Sequence, residues 1–329
     1  MPEALEALVR PVRLLAAGGT ISMRGRHAVP ELAAADLIEQ VPALAGVPRL
    51  AAETVLSLPG AHIALDQALE LARRAAAAAA AGEGVVVTSG TDTLEELAVL
   101  CALVHDGEAP VVLTGAIRPA SSPGADGAAN LLDAIAVAGS ERAAGLGAVL
   151  VFGGEIYAAM TVRKVDSTSP GAFGSPLAGP IGRVAEGRVW RNATPLRPAA
   201  LSVEGLADRV EIVPTALGDD GAGLARAAAH ADGIVFVALG AGHVAPVVLA
   251  ALRAAAQRVP VVLTCRPERP GMLFSTYGFE GAESDLRASG ALCAPFLSPQ
   301  AARVALLCGL GAGLDRAGIA TVLAPWDAA

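Results

Sequence analysis

Aromatic side chains make up only 3% of the 329 residues, and lysine is all but absent: Lys164 is the one lysine among 24 lysine and arginine residues. The net charge is −8 and no basic stripe forms. Without a positive surface or aromatic platforms, nucleic acid is not an expected partner. Cys101, Cys265, Cys293 and Cys308 are scattered, with no Cys-x-x-Cys spacing. That excludes a zinc ribbon or a disulfide framework and leaves small buried thiols. The histidines (His27, His62, His105, His230, His243) form no His-Glu-x-x-His pair, so no metal is implied. Although 53% of residues are hydrophobic, charge, glycine or proline interrupts every stretch of ~20, which argues against a membrane span. The opening MPEALEALVR carries two acids and no apolar leader segment, so a cytoplasmic location is expected.

Three nucleotide and hydrolase signatures are missing as well. No G-x-G-x-x-G follows the first apolar run, no G-x-x-x-x-G-K-[ST] occurs, and no G-x-S-x-G is present. Dinucleotide binding, a P-loop and a serine elbow are therefore unsupported.

What is present is a regular alternation. Strands are predicted at 12–17, 52–58, 84–88, 110–114, 147–152, 209–215, 233–239 and 259–265. Helices are predicted at 31–41, 64–81, 93–105, 126–138, 222–231, 245–257 and 298–310. Continuous runs such as GVVVTS and PVVLTG suit parallel strands covered on both faces. The length suggests about two domains. The fold class is α/β: a larger N-terminal, doubly wound, mainly parallel sheet domain over 1–193, a linker over 194–208, and a smaller C-terminal α/β domain over 209–329. The rhythm breaks between about 154 and 208, and there is no short internal repeat.

In open α/β sheets, ligands sit beyond the carboxyl ends of strands. AAGGTI follows the first strand, TSGTDTLEEL the third, and TGAIRPASSPGADGAANL, with Arg118, Asp126 and Asn130, the fourth. Two Gly-Thr turns thus face one crevice. Glycines turn the backbone tightly and free its N–H groups. A threonine there offers a hydroxyl to a carbonyl carbon once a base activates it. Lysine can shed a proton and arginine cannot, so the lone Lys164 is a candidate base. Taken singly, GTDT before LEEL would serve as an ordinary helix cap, and one lysine could be a surface survivor.

AAGGTI and TSGTDTLEELA together resemble the two signature segments of the bacterial-type L-asparaginases, a family that includes glutaminase-asparaginases. The likeness continues through PVVLTGAIRPASSPGADGAANLLDA, RKVDSTSPGAF, GAGH and LSPQAARVAL, and so covers most of the chain. The resemblance implies hydrolysis of L-asparagine to L-aspartate and ammonia through a threonine ester, with no cofactor. Thr20 is the implied nucleophile, Thr91 and Lys164 the second threonine and its lysine, and Asp92 the carboxylate for the substrate's α-ammonium. Gly19, Gly60, Gly90, Asp92 and Ala116 form the implied substrate-binding surface. His243, in the GAGH turn of a neighbouring subunit, completes it. A homotetramer of close dimers, or a homodimer with shared sites, is implied.

The sequence departs from the family in three places. SMRGRHAVPEL stands where the family has a lid with a tyrosine, leaving His27 as its only aromatic ring and a short lid expected around Gly25. The serine expected after the second strand is Gly60, with Ser57 and His62 nearby. The histidine of the family's HGTDT is Ser89. Glu280 and Glu283, near TYGFEGAE, are candidate carboxylates from the neighbouring subunit. Gly60 and the altered lid leave open another amide substrate, glutamine included; a non-catalytic amino-acid-binding protein is the alternative from a different class.

Overall fold

A computed structural model describes residues 8–24, 29–269 and 271–327. The proposed lid positions Gly25 and His27 lie outside the described residues. The chain divides into two compact units, one reaching Ala200 and the other beginning at Leu201.

The first unit is built on an eight-stranded sheet. Its parallel part comprises β1 (Val12–Gly18), β2 (Leu50–Leu58), β3 (Gly84–Thr88), β4 (Val111–Thr114) and β5 (Ala148–Phe152). Their spatial order is β5-β4-β3-β1-β2. The order reverses direction between β1 and β3, which makes the cleft past their carboxyl ends the topological switch point of the sheet. The near-continuous Val/Leu runs of β3 and β4 are buried on both faces. Alternate side chains Val12, Leu14, Ala16 and Val86 pack with Leu131, Ala134 and Ile135 of α4 (Gly127–Gly139). Helices α2 (Leu65–Ala80) and α3 (Leu94–Val104) pack on each other and on the sheet. The short α1 (Ala34–Glu39) lies against β2.

The sheet does not end where the sequence rhythm breaks. β6 (Glu155–Ala158), β7 (Gly182–Ala185) and β8 (Arg188–Arg191) extend it past β5, each pairing antiparallel with its neighbour. These strands are four residues long and separated by glycine and proline, too short to show a period in the sequence. The segment after them, 192–200, has no helix or strand but is not loose. Arg197 donates to the carbonyls of Gly145, His105 and Gly107 at 3.3–3.5 Å.

The second unit holds a four-stranded parallel sheet in sequential order: β9 (Val210–Pro214), β10 (Gly233–Ala238), β11 (Val261–Cys265) and β12 (Leu292–Cys293). Ile234, Phe236 and Leu263 meet Leu249 and Leu252 of α6 (Pro246–Arg258) and Leu224 of α5 (Ala222–His230) in its core. A short α7 (Glu283–Arg287) precedes β12. α8 (Pro299–Gly311) starts at Ser298, whose hydroxyl accepts from Ala301 N–H at 3.0 Å, and α9 (Arg316–Leu323) closes the unit. No described helix is long and apolar enough to cross a membrane.

Candidate functional site

The two Gly-Thr turns lie at the switch point because β1 and β3 are parallel neighbours in register, Ala16 opposite Thr88. Gly18 and Gly19 take φ values of 95° and 77°, which L side chains rarely adopt. Gly19 N–H donates to Leu58 O at 2.9 Å, and Ser22 N–H returns to Gly19 O at 3.0 Å. That sharp turn delivers Thr20 half-buried at the start of a single 3₁₀ turn, Thr20–Ser22.

The glycines on the three strand ends touch backbone to backbone. A Cβ placed on Gly19 would lie 2.3 Å from the Gly90 nitrogen, and one on Gly90 would lie 2.4 Å from the Gly60 nitrogen. Gly19, Gly60 and Gly90 are thus one continuous backbone surface, from which Thr20 and Thr91 each follow as the next residue. Ala116 is buried just beyond β4. Its neighbour Gly115 faces Thr91, whose Cγ2 would be 3.3 Å from a Cβ there.

The lone lysine is not a surface survivor. It sits on a two-residue ribbon, Arg163–Lys164, paired antiparallel with Phe173–Gly174. Its Nζ donates to Thr91 Oγ1 at 3.0 Å and to Asp92 Oδ1 at 2.7 Å. The Lys164 side chain is 17% exposed and that of Asp92 69%. Thr91 is buried. Asp92 therefore spans from the inner lysine to the open side of the cleft. The Lys164 backbone N–H is held by the Glu95 carboxylate on the first turn of α3.

Side chains at and near the helix starts tie the site loops together, and the cap expected of GTDT is not made. Thr93 precedes α3, yet makes no cap; its hydroxyl donates to Gly60 O at 3.1 Å. Asp126 precedes α4, and its carboxylate accepts from the N–H groups of Ile117 at 3.0 Å and Arg118 at 2.8 Å. Asn130 links Gly115 O to the Gly153 N–H. Capping is a local option, and a longer-range partner has replaced it in both places. Glu95 was not singled out from the sequence, where a carboxylate in a helix's first turn is unremarkable.

The other candidate side chains make no bond to Thr20, Thr91 or Lys164 among the contacts of the described residues. Ser57 is exposed and donates to Pro30 O at 3.3 Å. His62 is exposed at the end of the 3₁₀ turn Gly60–His62. Ser89 is buried, and its hydroxyl has no partner among the described residues. In the second unit, Glu280 is exposed whereas Glu283 is fully buried. His243 follows β10 in the turn closed by the Leu239–His243 bridge.

A two-unit α/β protein with paired Gly-Thr turns at a switch point, one of them held by a half-buried lysine, is the class these features define. Residues 11–197 match the asparaginase N-terminal domain and residues 209–323 the glutaminase/asparaginase C-terminal domain, so the chain belongs to the asparaginase family. It is 38% identical over 330 residues to a probable L-asparaginase of Deinococcus radiodurans, covering 98% of each chain. It is 33% identical to a glutaminase-asparaginase of Pseudomonas fluorescens, covering 74% of this chain and 71% of that one. It is 30% identical to a probable periplasmic L-asparaginase of Haemophilus influenzae, covering 90% and 87%.

Proposed function

We propose that the protein is an amidohydrolase that converts L-asparagine to L-aspartate and ammonia. The observation that carries this is the contact of Lys164 with both Thr91 and Asp92, beside the turn that bears Thr20. Thr20 Oγ1 attacks the amide carbon, and backbone N–H groups of the Gly-Thr turns stabilise the oxyanion. The C–N bond breaks, and ammonia departs with the proton taken from the hydroxyl. Thr91 and Lys164 activate the water that splits the threonyl ester and regenerates Thr20. Asp92 holds the α-ammonium with the carboxylate oxygen not engaged by Lys164. Gly19, Gly60, Gly90 and Ala116 form the wall against which the substrate lies. The C-terminal domain, through His243, completes the site of a neighbouring subunit in a homotetramer of close dimers, with residues 194–208 as the linker. The proposed location is the cytoplasm, tested by fractionation, since one relative is named periplasmic.

Gly60 favours a second reading within the same chemistry. It offers no hydroxyl where the substrate's carboxylate would be gripped, which relaxes the preference for asparagine toward glutamine or another small amide. A purely binding protein would have no use for a lysine held on a buried threonine hydroxyl. The test is ammonia release with L-asparagine, D-asparagine and L-glutamine. Saturable release from L-asparagine, lost at least ~10³-fold in Thr20→Ala with the fold intact, is expected. Silence on L-asparagine from a folded protein overturns the reading.

A further inference from the structure

Glu283 is the most completely buried carboxylate among the described residues, at 0% exposure, and only one of its oxygens is used by the backbone. Oε1 accepts the N–H groups of Thr276 and Tyr277, the latter at 2.8 Å. Oε2 has no hydrogen-bond partner and stands 3.4 Å from His243 Nε2, itself a buried atom without a partner. Two desolvated polar atoms left facing each other are each other's only means of satisfaction. The imidazole is held in place. The Tyr277 and Phe279 rings meet it edge-on at 4.8 and 5.0 Å, and its backbone is fixed by paired bonds with Leu239. The other ring nitrogen, Nδ1, lies toward the Gly240 turn, 3.7 Å from where a Gly240 Cβ would be. Burial opposes the Glu283 charge, but the backbone N–H groups, those of Tyr277 and Thr276 among them, hold the carboxyl below its ordinary value.

We propose that Glu283 is a positioning residue that fixes His243 as the Nε2–H tautomer, so that Nδ1 becomes a hydrogen-bond acceptor for an N–H donor of the substrate. A carboxylate behind one imidazole nitrogen sets the role of the other. The donor class is an ammonium or amide N–H, as an amino-acid amide carries. The use of Nδ1 rests on the proposed function, in which His243 lines a neighbouring subunit's site; the tautomer does not. Glu283 in this view never touches substrate.

Glu283→Gln separates this role from mere loop support. Its amide oxygen still accepts the Thr276 and Tyr277 N–H groups, whereas its NH₂ now donates to Nε2 and forces the proton to Nδ1. Side-chain nitrogen NMR of the histidine-labelled full-length protein at about pH 8.5, roughly two units above the ordinary imidazole value, reads this directly. The His243 signals are those lost in His243→Asn. The wild type is expected to show Nε2–H alone, and Glu283→Gln to show Nδ1–H. A wild-type mixture of tautomers, or no change in Glu283→Gln, overturns the proposal. In turnover, Glu283→Gln is expected to raise KM for L-asparagine ~10-fold with kcat within about 2-fold; an unchanged KM overturns the use of Nδ1. A wild-type protein silent on L-asparagine defeats the proposed function instead, and the NMR result then still decides the tautomer.

Discussion

Gly60 and Gly90 are in backbone contact: a Cβ on Gly60 would lie 2.9 Å from the Gly90 carbonyl oxygen and 3.1 Å from its carbon. The neighbouring atoms are main chain, so they yield only if two strand-end loops separate. Those loops are also tied by the Thr93 hydroxyl on Gly60 O. The missing side chain at 60 is therefore part of how the cleft closes, and not simply a lost hydroxyl.

Gly60→Ser is accordingly expected to cost stability, by about 1–3 kcal/mol for a side chain forced against backbone. Its thermal midpoint should fall and its KM for L-asparagine should rise. A variant as stable as the wild type with a lower KM would show that the loops part freely and that the restored hydroxyl grips the substrate.

Lys164→Met keeps the aliphatic stem and removes the amine that meets Thr91 and Asp92. Turnover is expected to fall ~10²–10⁴-fold, the range for removing a group that moves a proton. The circular dichroism spectrum should not change, because the Lys164 backbone stays held by Glu95 and Phe173. Turnover within threefold of wild type would remove Lys164 from the mechanism.

The core of this arrangement was legible because two independent signals coincide. Val/Ile/Leu runs mark parallel strands, and the residues directly after two of them are Gly-Thr. Once β1 and β3 are neighbours, Gly19 and Gly90 must meet. The partners of these residues were not legible in the same way. Thr93 and Asp126 sit where caps belong, and nothing local distinguishes a cap from a bond to Gly60 or Ile117. β6 to β8 have no period to detect at four residues each. The burial of Glu283 depends on how the loop carrying Thr276 and Tyr277 folds back, which charge and spacing do not encode.

The cysteines should be chemically silent in the native protein. Burial pushes the thiols of Cys101, Cys265 and Cys308 up to about 12. It pushes that of Cys293, which is only half-buried, to about 11. At pH 8 the thiolate fraction is then about 10⁻³–10⁻⁴, against roughly a quarter for an ordinary cysteine. A thiol-exchange reagent should label none, or Cys293 slowly, and all four after denaturation. Rapid native labelling of Cys101 would contradict the packing of α3.

Asp133 places a stability cost in the neutral range. It lies half-buried on α4, and burial raises its carboxyl from 3.8 to about 6. A group whose folded value is raised favours the native state while protonated. That advantage is complete below about pH 4 and is lost as the pH climbs through about 6. Above that, the folded protein carries a charge it solvates poorly. Asp133→Asn is uncharged throughout, so it should gain about 1–2 kcal/mol at pH 8, allowing for partial exposure. The gain should shrink to near nothing at pH 4. Urea midpoints of both proteins at the two pH values measure it, and an equal effect at both would mean that the charge on Asp133 is not what the helix pays for.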